Sequence, residues 1–143
     1  MPDINYFAVL VSGVVAMIVG GVWYGPLFGK MWMEGMGWDP NNQALMAEKK
    51  KDMVASYAQM FVLALVQALV LAHVLWAYGI AFPEIIGAWA GIQGGFWVWL
   101  GFVLPLRYGD KLWDGKKFRF VAVDLAYYLV LLCIIGIILS IWK

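Results

Sequence analysis

The chain has one cysteine, Cys133, and one histidine, His73. A disulfide within the chain is therefore impossible, and neither a cysteine cluster nor a histidine pair is there to hold a metal. The three serines, Ser12, Ser56 and Ser140, stand in no nucleophile motif, and no glycine-rich loop follows the phosphate-cradling pattern. Charge is scarce as well. Charged residues make up 13% of the chain, against about 25% in soluble domains. The opening Met-Pro-Asp carries no basic region and no small-residue cleavage site, so the first apolar run is expected to be a retained span and not a cleaved signal. These absences argue against an enzyme and against any bound cofactor. Nucleic acid is not an expected partner.

What is abundant is apolar surface. The hydrophobic share is 64% of 143 residues, more than a soluble fold of this size can bury. Four long apolar runs carry it, at about 4–28, 53–78, 84–106 and 120–142. Crossing ~30 Å of hydrocarbon takes about 20 residues of helix, and a backbone surrounded by lipid satisfies itself only as helix or closed barrel. The expected fold is an all-α integral membrane protein of one domain, with four transmembrane helices arranged as two hairpins.

The little charge there is lies in blocks. Lys30, Lys49, Lys50 and Lys51 fall between the first two runs, and Arg107, Lys111, Lys116, Lys117 and Arg119 between the last two. Only Lys143 lies beyond the fourth run. The positive-inside rule then puts the loops at about 29–52 and 107–119 in the cytoplasm and both termini outside. Asp39-Pro40 reads as an N-cap and first helical position, starting a helix that runs through Asp52 into the second span. Pro83-Glu84 reads as the first turn of the third span.

Small residues recur every four positions, which places them on one helix face. Gly87, Gly91 and Gly95 mark the third span; Ala64, Ala68 and Ala72 the second; Ser12, Ala16 and Gly20 the first. Such stripes allow close backbone approach, the main source of helix association in lipid. They suit either a tight bundle or an interface between copies.

Polar residues inside the spans are the candidate site. Asp124 is the costliest, at roughly 2.5–3.5 kcal/mol for a carboxylate at a span centre. It lies near the start of its span, where it either reaches the cytoplasmic interface or pairs with Arg107, with a ligand or proton site as the alternative; Tyr127 and Tyr128, at i+3 and i+4, are placed to donate hydrogen bonds to it. Gln59, Gln67 and His73 share a sector of the second span, and Gln93 starts from the same side on the third. Gln67, His73 and Gln93 can line a polar cavity or simply bond helix to helix. Met31, Met33 and Met36 offer soft thioethers for copper(I), but with no histidine or cysteine beside them, anchoring at the interface is the better reading.

Trp23-Tyr24-Gly25-Pro26-Leu27-Phe28-Gly29-Lys30 ends the first span. Trp23 and Tyr24 suit the aromatic belt, Gly25-Pro26 breaks the helix and Lys30 reaches for the headgroups. The segment is expected to pack against the second basic loop near Trp113. Asn5-Tyr6, the first span and this segment through Met31-Trp32 resemble the start of a family of small bacterial membrane proteins catalogued only as a domain of unknown function. Trp99-Leu100-Gly101-Phe102-Val103-Leu104-Pro105 and Asp124-Leu125-Ala126-Tyr127-Tyr128 are similar to its third and fourth spans. The resemblance implies a single four-span domain in a bacterial inner (plasma) membrane and transfers no catalytic residue.

The expected role is therefore non-enzymatic: a structural or accessory membrane protein acting by helix packing, as a homo-oligomer or a subunit of a larger membrane complex. The alternative is an oligomeric transporter or channel for small molecules or ions, or a ligand-binding membrane protein.

Overall fold

The structure is a computed structural model that describes residues 3–51 and 53–142. Met1, Pro2, Asp52 and Lys143 lie outside the described residues. With them go the expected start of the chain, the helix through Asp52 and the lone basic residue past the fourth span. All regular structure among the described residues is helical.

Helix α1 spans Tyr6–Val22, and the Asn5 side chain caps it by accepting from the amides of Phe7 and Ala8 at 3.0 and 3.1 Å. A π turn at Trp23–Leu27 follows, then α2 at Gly29–Gly35. The first basic segment holds α3, Gln43–Lys51. Its start differs from the expectation. Asp39 accepts from the Asn41 amide in a local turn, and Asn42 caps the helix through the Leu45 amide. Asp39 spends its carboxylate two residues on, which leaves the capping to Asn42.

Helix α4 spans Met53–Ala81. Pro83 and Glu84 lie in the turn after it and not in the next helix, α5, which begins at Gly87 and ends at Val98. Gly87 has φ of +62°, a left-handed conformation that glycine adopts without strain. A second π turn at Trp99–Val103 joins α5 to α6, Leu104–Trp113. The helical chain thus continues past residue 106, and only a short connection separates Trp113 from α7, Phe118–Ile141. Local turn chemistry explains that reach: Asp114-Gly115, with φ of +68° at Gly115, supplies the first clear stop after Trp99.

Four stretches are long and apolar enough to cross a membrane: Tyr6–Leu27, Met53–Ala81, Gly87–Trp113 and Phe118–Ile141. The shortest has 22 residues, about 33 Å at 1.5 Å per residue. Only 17% to 33% of the residues in each apolar stretch are buried within the chain. The outward faces are apolar, which suits lipid and not water.

Helix α7 is the hub. Val9 and Ala16 of α1, Ala64, Ala68 and Leu71 of α4, and Tyr127, Leu131, Leu132 and Ile135 of α7 form the buried core. The most extensive helix contact joins α5 to α7. A Cβ added at Gly91 would run into the backbone of Gly136, and one added at Gly136 would meet the carbonyl of Gly91. One turn along, a Cβ on Gly95 would lie 2.6 Å from the Leu132 carbonyl oxygen. Two backbones therefore touch where side chains are missing. Gly87 stands outside this contact, since an added Cβ there meets nothing within 4 Å.

Candidate functional site

All nine described basic residues sit at one end of the bundle, the basic end. There the two π turns do similar work. Pro26 has no N–H and crowds the turn before it. The ladder widens to accommodate it, and the Phe28 amide reaches back five residues to the Trp23 carbonyl at 2.9 Å. Gly29 then passes so close to the Tyr24 carbonyl that a Cβ would sit 2.9 Å from its oxygen. Upstream of Pro105, the Leu104 amide likewise bonds to the Trp99 carbonyl, five residues back.

Each π turn turns a side chain onto α7. The Tyr24 hydroxyl donates to Asp124 Oδ1 at 2.8 Å. The Trp99 indole N–H donates to the Leu125 carbonyl at 2.8 Å. Around them Tyr24 and Tyr127 pack with ring centroids 4.8 Å apart, and Trp23 lies 6.0 Å from Tyr127. The partner of Asp124 is thus Tyr24 of the first span. Arg107 instead donates to the Tyr128 hydroxyl at 3.0 Å and contacts Asp110 at 3.4 Å. Asp110 is also 3.5 Å from Lys116. The guanidinium is held by its own helix and by a neighbouring phenol, which leaves the carboxylate to the tyrosine that the π turn delivers.

The Trp23–Lys30 segment does not meet Trp113, which is 88% exposed. It meets α7, and its continuation α2 is fastened to the start of α7. Arg119 donates to Glu34 at 2.9 Å, and a Cβ on Gly35 would lie 2.8 Å from the Phe120 ring. Gly25, Pro26 and Lys30 are exposed, so they shape and anchor this elbow from its outer side.

The expected polar set of the second and third spans does not come together. His73 is exposed, and its Nδ1 lies 2.8 Å from the Leu69 carbonyl of its own helix. Gln93 accepts from the Tyr78 hydroxyl, not from His73 or Gln67. Gln67 is half-buried on α4, and Gln59 is exposed. No cluster of metal-ligating residues occurs among the described residues.

A cavity of about 330 Å³ lies at the end opposite the basic loops. All four spans line it, through small residues: Ala8 of α1, Ala72 and Gly79 of α4, Ala90 of α5 and Ser140 of α7. Asp3, Trp76 and Trp142 also line it. One turn deeper than Ala8, on the same face of α1, Ser12 is fully buried, and its hydroxyl has no hydrogen-bond partner. Of the small-residue stripes on the first two spans only Ala72 lines this space, and repeats of that kind mark packing and cavity alike. The Tyr24–Asp124 bond had no local signal, because its partners are 100 residues apart.

Residues 7–140 match the family described as Protein of unknown function (DUF1761). The chain belongs to that family. No curated protein matches the chain, and neither does any solved structure. The DUF1761 match takes in both π turns, the α7 hub and most of the cavity lining, so these belong to the family-matched part of the chain. Asp3 lies outside it.

Proposed function

We propose that this DUF1761 protein is a non-enzymatic, multi-pass membrane protein that binds a small, largely apolar molecule in the four-span cavity. The carrying observation is that cavity, which draws small residues from every span. Its ~330 Å³ falls in the range of small-molecule sites. Self-association loses its main support, because Gly91 and Gly95 spend their close contact on α7 of the same chain.

The basic loops face the cytoplasm of a bacterial inner membrane in this reading, and the cavity opens outside. The excess of lysine and arginine at one end supports that orientation. Single cysteines in a Cys133→Ala background test it. Lys116→Cys is expected to be protected from an impermeant maleimide in intact cells, and Gly79→Cys to react. The reverse pattern would invert the assignment.

Binding is tested with 1-aminoanthracene, a neutral apolar fluorophore, on protein in non-ionic micelles. Saturable binding of one probe per chain is expected. Ala72→Phe is expected to weaken it by about tenfold, because the ring fills part of a small-molecule-sized site. Gly79→Phe is a second plug at a position where an added Cβ meets no neighbour. Binding equal in wild type and both folded variants would overturn the proposal.

A further inference from the structure

We infer that the cavity prefers a lipophilic cation: an organic ammonium with an apolar body. The inference rests on the binding proposal above and adds the charge of the ligand.

Three observations converge. Among the described residues, Asp3 is the one ionisable side chain lining the cavity. Two of the remaining lining residues are tryptophans, Trp76 and Trp142, each with a partly exposed ring. The third concerns the surroundings. Every described basic residue is at the far end of the bundle, and Glu84 is the other described charge near this one. The described residues at the mouth therefore bring negative charge and two tryptophans, while Lys143, next after Trp142, lies outside them.

Each feature suits the same chemistry. A carboxylate attracts a cation over the Debye length of about 8–10 Å at ordinary salt. Indole faces attract an alkylated ammonium through the ring quadrupole, and such a group has less hydration to lose than a primary amine. The alanine and glycine walls accept the apolar body. Asn5, also in the lining, has its side-chain oxygen taken by the amides of Phe7 and Ala8. Asp3 is left as the charged acceptor at the mouth. An anionic amphiphile would meet that carboxylate unfavourably, and a neutral chain would gain nothing from it.

The test uses an isosteric pair: phenyltrimethylammonium, charged, and tert-butylbenzene, neutral and of the same shape. Both compete with 1-aminoanthracene on the full chain in non-ionic micelles. The cation is expected to displace the probe from wild type at about threefold lower concentration than from Asp3→Asn, the scale of an exposed ion pair. tert-Butylbenzene is expected to act equally on both proteins. Trp76→Leu is a second, independent variant, expected to weaken the cation by about threefold and to leave displacement by tert-butylbenzene unchanged.

If the cation displaces the probe equally from wild type, Asp3→Asn and Trp76→Leu, the charge preference is wrong while binding itself stands. If tert-butylbenzene is the stronger competitor on wild type, the occupant is a neutral apolar molecule. If 1-aminoanthracene never saturates on wild type, the binding proposal fails and this inference with it.

Discussion

Gly91→Leu is expected to separate α5 from α7 and to leave little protein that survives purification as a single folded species. A Cβ at Gly91 already runs into the Gly136 backbone, and its closest neighbours are a carbonyl and the following amide of α7. Backbone of that kind cannot rotate away as a side chain can. Overpacking a tight core costs roughly 1–3 kcal/mol, more when nothing yields, and here the helices themselves must move apart. Moving them removes the contact that holds them, because lipid offers apolar helices no hydrophobic reason to stay together. Gly91→Ala is expected to follow the same direction by a smaller amount. Gly21→Leu is the matched control, since a Cβ there meets nothing within 4 Å. Thermal unfolding in detergent checks all three: a large drop for Gly91→Leu, a smaller one for Gly91→Ala and almost none for Gly21→Leu. Equal melting for Gly91→Leu and Gly21→Leu would show that the α5–α7 contact does not hold the bundle.

The four spans are legible in the sequence because hydropathy is a sum over many residues. No single contact is needed to see them. The basic loops are legible for the same reason. Element ends are less so. Pro83-Glu84 and Asp39-Pro40 both carry helix-start signals, yet α5 starts at Gly87 and α3 at Gln43. Local propensity gives way there to a glycine with positive φ and to a carboxylate spent in its own turn. The third span overruns its apolar stretch because α6 tolerates Arg107, Asp110 and Lys111 on one side.

The candidate site was legible one residue at a time and not as a constellation. Asp124 stands out as a costly charge in an apolar run, but nothing nearby announces Tyr24. Helical projection puts Gln59, Gln67 and His73 in one sector of the second span, yet sector alone does not say that His73 faces outward onto its own Leu69 carbonyl. The cavity is the least legible feature, because it consists of side chains that are missing. Alanine and glycine give the same pattern whether a neighbour fills the space, as Gly136 does for Gly91, or leaves it open, as beside Ala72.

Tyr24→Phe should then destabilise the protein by about 1–3 kcal/mol, the penalty for leaving a part-buried polar group without its partner. The substitution removes one oxygen and keeps the ring against Tyr127, so loss of packing does not account for the effect. What remains is Asp124 among spans that offer it no other described hydrogen-bond donor. Asp124→Asn keeps an acceptor for the Tyr24 hydroxyl and is expected to cost less. Asp124→Leu removes the carboxylate but strands the hydroxyl, a smaller penalty because a phenol is neutral. The double variant Tyr24→Phe/Asp124→Leu removes both ends of the bond. It is expected to be more stable than Tyr24→Phe alone, the sign of coupling between two groups in contact. Unfolding of the four proteins in one detergent measures that coupling, and additive losses would show that the bond contributes nothing. The coupling bears on the Trp-Tyr-Gly-Pro stretch as a whole. Pro26 forces the wide turn, the wide turn aims Tyr24 inward, and the hydroxyl then fixes the end of the first span to the fourth. A membrane anchor needs aromatic residues near the headgroups in any order. A latch onto Asp124 needs tyrosine at this one place in the turn.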